Sequence, residues 1–237
     1  LLENRQITSD AVIANNADLG IAWDGDFDRC FFFDENGDFV DNYYLIGLLS
    51  ERLLANEPNS CIVHDPRLVW NTQEEVKKSL GVPMLSKAGH SFIKEVMREN
   101  NAIYGGEMSG HHYFRDFYYS DSGMIPWLLL LQSISESGKT LSELVSERVS
   151  KYPISGEINT TVENPKQLLE TIKSHYQQYD PAIDDLDGYS FDFKTWRFNL
   201  RMSNTEPLVR LNVESRENQK LMEEKTKEIL GLIDQHK

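Results

Sequence analysis

Three aspartates stand at alternate positions in one short loop of this chain. Asp24, Asp26 and Asp28 lie between two apolar runs that are typical of strands. Carboxylates gathered in a tight loop repel one another, and a divalent ion held by oxygen ligands removes that repulsion. The spacing therefore predicts a site for a hard cation, and Arg29 directly after it predicts that an anionic group meets the ion.

Other interpretations of this loop are open. An EF-hand would use acids at positions 1, 3 and 5 and Glu35 at position 12, but it needs glycine at the sixth position, where Arg29 stands. A phosphatase of the haloacid-dehalogenase type would also place Asp-x-Asp after an apolar strand, yet it usually has Thr or Val in place of Asp28. A solvated acidic turn leaves Gly25 and the apolar flanks unexplained. A magnesium loop that faces a phosphorylated group agrees best with the residues.

A second polar loop, Arg201-Met-Ser-Asn-Thr-Glu-Pro207, separates two segments of alternating polarity. Small hydroxyl and amide residues in a tight loop offer backbone N–H groups together with side-chain donors, and two arginines flank them. This composition predicts a phosphate cradle, whereas a plain β-turn with incidental arginines is the alternative. The candidate ligands are Arg201, Ser203, Asn204, Thr205 and Arg210.

A glycine-rich run, Gly105-Gly-Glu-Met-Ser-Gly-His-His112, follows a predicted strand. Paired glycines let the backbone approach a ligand closely, while Glu107 and Ser109 offer hydrogen-bonding groups suited to vicinal sugar hydroxyls. A plain glycine-rich turn is the alternative. His111 and His112 have no cysteine or acid at ligand spacing, so zinc is not expected.

Two further loops hold candidate reactive residues. Lys87 and His90 stand in Ser86-Lys-Ala-Gly-His-Ser91, just before a predicted helix whose N-terminus can receive phosphate oxygens. Arg67 lies just after a predicted strand that ends at His64, where a strand meets a loop. It is a candidate site residue, and the alternative is that it only forms an ion pair on the surface.

Composition narrows the class of protein. A chain of 237 residues with 40% hydrophobic content can bury a sizeable core, and its net charge of -14 argues against nucleic acid or an anionic membrane as partner. Cys30 and Cys61 give no disulfide framework, which favours a cytoplasmic location. The longest apolar stretch, 124–131, is too short to span a bilayer, and no signal peptide is visible. The chain opens with Leu-Leu-Glu-Asn-Arg-Gln, as though it began midway through an element, so we expect a fragment of a longer protein.

Strand-like and helix-like segments alternate up to about residue 150, which is typical of a βαβ-type sheet with ligand loops at the carboxyl ends of its strands. After a linker at 152–156, the order of segments predicts a small α+β domain with a single helical layer. The pattern predicts helices over 8–15, 43–55, 73–80, 90–100, 123–137 and 165–179 and from about 218, and strands over 19–23, 30–34, 61–64, 82–85, 102–104, 156–162, 196–203 and 208–214.

Strict alternation in the last two strands predicts which side chains face the core. The inward set is Trp196, Phe198, Leu200, Met202, Val209, Leu211 and Val213, and the outward set is Arg197, Asn199, Arg201, Ser203, Arg210 and Asn212.

Together the loops resemble those of the α-D-phosphohexomutase family, and within it those of the bacterial phosphomannomutases. Asp24-Gly-Asp-Phe-Asp-Arg29 is similar to the family's magnesium loop, Gly106-Glu-Met-Ser-Gly-His111 to its sugar-specificity loop, and Arg201–Pro207 with Arg210 to its distal phosphate site. These motifs stand in family order, and the resemblance covers the whole chain. The Glu-Met-Ser of this loop resembles the loop of enzymes that act on phosphomannose or phosphoglucose, whereas phosphoglucosamine mutases tend to carry Gln in place of Met.

The resemblance implies an α/β fold in three parts. Residues 1–39 would be the end of domain 2 with the metal loop, 40–150 a mixed βαβ-type sheet domain 3 with the sugar loop, and 151–237 a two-layer α+β domain 4 like the TATA-box-binding protein. The family's first domain supplies a phosphoserine in a Ser-His-Asn-Pro context that this chain lacks. The chain alone is therefore expected to be inactive, with the missing N-terminal domains and a hexose phosphate as its partners.

The implied activity is that of a phosphomannomutase, an isomerase. It would interconvert mannose 6-phosphate and mannose 1-phosphate through a hexose 1,6-bisphosphate, with Mg²⁺ as cofactor, and would feed GDP-mannose and surface polysaccharide synthesis. Phosphoglucomutase specificity is one alternative. A non-catalytic sugar-phosphate binding module is another, if the chain is complete.

The resemblance also implies roles for the candidate residues. The three aspartates would hold magnesium on the phosphoserine, and Arg29 would neutralise the transferring group. The family commonly has Lys where Arg67 stands, and because arginine stays protonated, Arg67 would act as an electrostatic clamp and His90 as the proton-transfer residue. The substrate-binding set would be Lys87, Glu107, Ser109, His111, Arg201, Ser203, Asn204, Thr205 and Arg210.

Overall fold

The computed structural model describes residues 2–203 and 206–236, which fold as two compact units. The first unit comprises the residues up to 65 together with 69–148, and the second comprises 66–68 and the residues from 149 onward. Arg67 therefore belongs to the second unit. No helix in the two described ranges is long and apolar enough to cross a membrane.

The acidic loop, residues 24–29, closes a β-hairpin at the start of the first unit. Trp23 pairs with Cys30 at the ends of its two strands, so the loop lies directly between paired residues. The strands form an antiparallel sheet in the order β1-β2-β3. The elements are α1 (Leu2–Asn15), β1 (Gly20–Trp23), β2 (Cys30–Phe33) and β3 (Phe39–Val40).

A mixed five-stranded sheet forms the rest of the first unit, as the sequence predicts. Its order is β5-β4-β6-β7-β8, with β5, β4 and β6 parallel and β7 and β8 antiparallel. The elements are α2 (Asn42–Asn56), β4 (Cys61–His64), α3 (Trp70–Lys78), β5 (Val82–Leu85), α4 (His90–Glu99), β6 (Tyr104–Gly106), β7 (His112–Phe114), β8 (Ser120–Asp121), α5 (Ile125–Ser137) and α6 (Leu141–Lys151).

Helix α2 is enclosed by neighbouring elements over its first nine residues, 42–50. Asp41 caps it by accepting a hydrogen bond from the backbone N–H of Tyr43 at 2.9 Å. The helix packs against α3, α5 and β6. Because neighbours surround it, residues 42–50 are all buried, including polar Asn42 and Ser50. A helix enclosed in this way cannot show a clean polar face in its sequence.

The second unit is a two-layer α+β domain. Its strands form an antiparallel sheet in the order β10-β11-β12-β13-β9. Helices α7 and α8 bury Leu168, Ile172 and Ile229 in a core with Phe198 and Leu211 of the sheet. The elements are β9 (Ile154–Thr161), α7 (Pro165–Gln177), β10 (Ala182–Asp184), β11 (Tyr189–Asp192), β12 (Trp196–Met202), β13 (Leu208–Ser215) and α8 (Gln219–Asp234).

Two details of the predicted strand faces are wrong. Met202, predicted to face the core, is 41% exposed at the end of β12. Asn199 and Asn212, predicted to face outward, are fully buried. Arg197 on the same face is also buried, because it pairs with Glu214 at 2.8 Å and donates to backbone carbonyls of the segment 66–68. A strand pattern separates apolar from polar faces, but it does not show whether a polar face is covered.

Candidate active site

The acidic loop gathers its three carboxylates as the sequence predicts. Ligand oxygens of Asp24, Asp26 and Asp28 lie within 4.8 Å of one another. Arg29 holds one side of the loop, since its backbone N–H and its Nε both donate to the carboxylate of Asp24, at 3.2 and 2.5 Å. Oδ1 of Asp28 is buried and accepts no hydrogen bond from any described residue, although Nε of Arg29 lies 3.6 Å from it. A buried carboxylate oxygen without a donor is a position that a cation would satisfy.

The pKa values of two loop aspartates move in opposite directions. Burial opposes ionisation of Asp24, but the hydrogen bonds from the backbone and side chain of Arg29 outweigh it and hold its pKa below the ordinary range. Burial raises the pKa of Asp28, and the charge of Asp24 adds to this, although His111 opposes it. A cation bound here would therefore compete with a proton on Asp28.

Gly123 fixes the back of the acidic loop. Its N–H donates to the carbonyl of Phe27 at 3.1 Å, and its carbonyl accepts from Nε1 of Trp23 at 2.8 Å. A Cβ at this position would stand 2.7 Å from the Phe27 carbonyl oxygen and 2.9 Å from that of Arg29. Only glycine permits this approach without a shift of the loop. Phe27 itself has a φ of 63°, a strained conformation for a residue other than glycine.

Glu107, predicted to bind sugar hydroxyls, is 3% exposed and already engaged by the protein. Its Oε1 accepts from the backbone N–H of Gly89 at 2.7 Å, and its Oε2 accepts from the hydroxyl of Tyr113 at 2.7 Å. Burial opposes ionisation, but hydrogen bonds from His111 and Tyr113 keep its pKa below the ordinary value. The carboxylate therefore joins the loop before α4 to the glycine-rich run 105–112. Among the described residues, Oε1 accepts only the Gly89 hydrogen bond, which leaves it a lone pair for a ligand.

His111 connects the glycine-rich run to the acidic loop. Its Nδ1 lies 2.9 Å from the hydroxyl of Ser109 and 3.4 Å from Glu107, and its Nε2 lies 3.4 Å from Asp28. The two segments also meet through the backbone, since the N–H of Cys30 donates to the carbonyl of Gly110 at 3.2 Å. Burial lowers the pKa of His111, but Glu107 and Asp28 outweigh it and raise the pKa overall.

Several residues of this cluster were not identified from the sequence. Asp121 at the end of β8 lies close to His111. The carboxylate of Asp121 also accepts a hydrogen bond from Lys94 at 2.8 Å. Asp65 accepts from the backbone N–H of Met108 at 2.9 Å and so holds the glycine-rich run. Asp65 directly follows the predicted strand that ends at His64, and this position was the sequence signal that could have identified it.

Two groups of side chains in the described residues could hold a metal ion. The acidic loop is better suited to a metal ion than the second group. In the second group, Asp28 is joined by His111 and Asp121. His111 has a raised pKa, which favours its protonated form, and Asp121 already pairs with Lys94. Three carboxylates are the hard oxygen donors that Mg²⁺ prefers. We therefore place the candidate cation in the acidic loop.

Lys87 and His90 are exposed at the N-terminus of α4. Lys87 lies near the ring of Phe92, with its Nζ 5.9 Å from the ring centroid. Gly89, between them, is tied to Glu107. The structure thus places both residues beside the glycine-rich run while leaving their side chains accessible.

In the second unit, an acidic side chain lies among the predicted phosphate-binding arginines. Arg201 and Arg210 are directly opposite each other on β12 and β13. Glu157 on β9 lies 3.1 Å from Arg201, 3.2 Å from Arg210 and 3.4 Å from Arg67. Burial opposes ionisation of Glu157, but the three guanidinium charges outweigh it and lower its pKa. This polar cluster brings three sequence-predicted residues together around a carboxylate that the sequence did not single out.

The loop that follows β12 is only partly described. The backbone N–H of Ser203 donates to the carbonyl of Leu208 at 2.9 Å, which closes the base of the loop. Asn204 and Thr205, predicted as phosphate ligands, lie outside the described residues.

Comparison with known proteins decides the family. The sequence profile of the phosphoglucomutase/phosphomannomutase α/β/α domain III matches residues 41–152, and that of the C-terminal domain of the same family matches 157–231. The chain belongs to this family. The three-part division at 39 and 150 stays a prediction.

Similar proteins and a solved structure support the same family assignment. The chain is 56% identical over 98% of its length to the phosphohexose mutases of Xanthomonas campestris pv. campestris strain B100, and 54% identical over 99% to the phosphomannomutase of Escherichia coli strain K12. It spans about half the length of these relatives, 52% of each. A phosphoglucomutase/phosphomannomutase family protein from Burkholderia thailandensis superposes with a TM-score of 0.82 at 25% identity, over 98% of this chain and 50% of that one.

Proposed function

We propose that this chain is part of a phosphomannomutase that interconverts mannose 6-phosphate and mannose 1-phosphate through a hexose 1,6-bisphosphate, with the phosphorylated serine on a preceding part of the protein. The observation that carries the proposal is the junction of the acidic loop with the glycine-rich run. His111 lies within 3.4 Å of both Asp28 and Glu107. Cation ligands and sugar-binding groups are thereby held side by side, as a phosphoryl transfer to a sugar hydroxyl requires.

Magnesium fits the acidic loop on the chemistry of its donors. Asp24, Asp26 and Asp28 would hold it, and the buried Oδ1 of Asp28 has no other described donor. When bound, the ion supplies positive charge beside the transferring phosphoryl group. Arg29 would add a second positive charge, although it must share its guanidinium with Asp24.

The polar cluster of the second unit would hold the phosphate that does not react. Arg201 and Arg210 offer guanidinium donors, which suit phosphate oxygens. Glu157 would keep these side chains aligned when no phosphate is bound. Since Glu157 is itself negative, a bound phosphate would be held less tightly than by the arginines alone, which favours release of a substrate that must turn over.

Proton transfer is assigned to His90 rather than to Arg67. An arginine stays protonated in proteins, and Arg67 lies against Glu157. Arg67 would therefore act as an electrostatic clamp. His90 is exposed at the start of α4, next to the Gly89 N–H that Glu107 binds. A histidine in that position can exchange a proton with a sugar hydroxyl.

Conversion of mannose 1-phosphate by the longer protein that contains this chain tests the proposal. ³¹P NMR would follow the appearance of mannose 6-phosphate, with glucose 1-phosphate as the competing substrate. We expect turnover of mannose 1-phosphate, a loss of about 100-fold in kcat/KM for Arg201→Gln, and little change for the exposed control Arg216→Gln. Turnover of neither hexose phosphate would overturn the proposal, and a strong preference for glucose 1-phosphate would replace it with phosphoglucomutase activity.

A further inference from the structure

A cavity of about 580 Å³ opens in the second unit between α7 and α8. Its volume lies within the range of small-molecule sites, roughly 300–1,000 Å³. Its lining contains none of the candidate active-site residues.

Aromatic rings form much of the cavity wall. Phe193 and Trp196 stack in parallel, with ring centroids 4.3 Å apart, and Tyr176 meets both rings edge-on. Trp196 and Tyr176 are buried, so their positions are fixed by packing, whereas Tyr179 at the rim is 59% exposed. A rigid aromatic wall with one accessible ring binds flat rings at little cost in side-chain entropy.

The polar groups of the cavity carry an excess of positive charge. Lys225 donates to Glu228 at 2.7 Å, and Tyr176 donates to the other oxygen of the same carboxylate at 2.8 Å. This arrangement offsets the charge of Glu228 within the wall. Lys227 is exposed at the rim and adds a further positive charge. In a chain with a net charge of -14, such a site favours an anion against the overall field.

Gly231 opens the cavity on the side of α8. Glycine in the interior of a helix lowers helix stability, and it usually answers a steric need. Here a Cβ would meet nothing within 4 Å, and the residue has no positive φ, so neither close packing nor backbone conformation requires glycine. Gly231 is exposed on α8 and lines the cavity, so a larger side chain there would take up space at its edge.

We propose that this cavity is a binding site for a small anion that carries a flat ring, of the chemical class of a nucleoside monophosphate. The ring would lie against the aromatic wall, and the anionic group would meet Lys227 at the rim. The site is separate from the proposed active site and does not depend on the proposed activity.

Titration of the whole chain with adenosine 5′-monophosphate tests the proposal. The readout is the indole N–H signal of Trp196 in ¹H–¹⁵N NMR spectra, assigned by its loss in Trp196→Phe. We expect a saturable shift with a Kd of about 1 mM or tighter. Adenosine, which lacks the anion, and inorganic phosphate, which lacks the ring, should each bind about tenfold more weakly by this signal.

Variants on α8 connect the shift to the cavity. Gly231→Leu should abolish the shift while leaving the thermal midpoint unchanged or higher, because leucine favours a helix and its Cβ meets nothing within 4 Å. Gln219→Leu adds the same side chain at an exposed neutral position of this helix and should bind like the parent chain. Lys227→Gln should weaken binding of adenosine 5′-monophosphate about threefold and leave adenosine unaffected.

Three results would overturn the proposal. They are the absence of a Trp196 shift with adenosine 5′-monophosphate at 10-fold above the expected Kd, equal binding of adenosine and its monophosphate, and undiminished binding by a folded Gly231→Leu variant.

Discussion

Glu157 and Arg201 form an ion pair at 3.1 Å across the sheet of the second unit, at the place where a phosphate is proposed to bind. Arg201 lies directly opposite Arg210, a like-charge pair that would repel without a counter-charge. The carboxylate of Glu157 thus supplies the negative charge among these arginines that a bound phosphate would also supply. This relationship predicts how the cluster responds when the carboxylate is removed.

Glu157→Gln should lower the free energy of unfolding by about 2 kcal/mol, because the surrounding guanidinium groups lose a largely buried counter-charge. Phosphate should restore part of that loss, since it can replace the missing charge. Urea unfolding of the chain with and without inorganic phosphate measures both effects. Glu163→Gln, at an exposed position just beyond β9, is the matched control. Equal phosphate-dependent stabilisation of the parent chain and Glu157→Gln would contradict this account.

Gly123→Ala should disturb the acidic loop. Its Cβ would stand within 3 Å of the carbonyl oxygens of Phe27 and Arg29, so the loop must move, at a cost of about 2 kcal/mol. Gly25→Ala is the control, because a Cβ there meets nothing within 4 Å. Unfolding in urea, followed through tryptophan fluorescence, compares the two variants. If both alanines are equally tolerated, the close approach at Gly123 does not position the loop.

Tyr113→Phe tests the buried link to Glu107. The substitution removes one donor from a carboxylate that is 3% exposed, and the expected loss in the free energy of unfolding is about 2 kcal/mol. Tyr119→Phe removes a comparable hydroxyl, which donates to Asn101 at an exposed site, and should cost less than about 0.5 kcal/mol. Indistinguishable losses in the two variants would show that Glu107 does not need this donor.

The buried His112 should make the stability of the first unit depend on pH. Burial lowers its pKa to about 3 from an ordinary value of 6.5, and the nearby His111 adds to the shift. Between these two values the unfolded chain binds a proton that the folded chain does not, so stability is fully present above pH 6.5 and is lost as the pH falls toward 3. Between pH 7 and pH 5 the loss should be about 2 kcal/mol.

The variant His112→Asn isolates this contribution, because it keeps a group that can form a hydrogen bond with the hydroxyl of Tyr104. Its free energy of unfolding should fall less steeply over the same pH range than that of the parent chain. Parallel profiles for the two proteins would mean that His112 is already protonated or exposed in the folded state.

Local patterns in the sequence predicted much of the fold and most of the candidate site. Acids at alternate positions between two apolar strands identified the acidic loop, since hairpin geometry is local. Residues that act through contacts between distant segments were missed. Glu157 stands in a strand of ordinary alternation, and only its pairing with β13 brings it to Arg210. Asp121 likewise needs Lys94 and His111, which lie in other elements.

Helix α6 carries a sequence signal that our prediction did not use. Leu141, Leu144 and Val145 recur at helical spacing, and Thr140 and Glu143 form a capping box at the start of the helix. Arg148 near its end pairs with Glu75 at 2.9 Å and with Glu51. Contacts with α2 and α3 therefore add to the stability of a helix that its own sequence also favours.

The dependence of mutase activity on magnesium tests the central claim most directly. In the longer protein that contains this chain, turnover of mannose 1-phosphate is measured after treatment with EDTA, after addition of Mg²⁺, and in Asp26→Asn, with exposed Asp18→Asn as control. We predict that EDTA abolishes turnover, that Mg²⁺ restores it, and that Asp26→Asn alone lowers kcat/KM by about 100-fold. Full activity in EDTA, or an Asp26→Asn variant as active as Asp18→Asn, would contradict the assignment of the acidic loop as the metal site of a phosphoryl transfer.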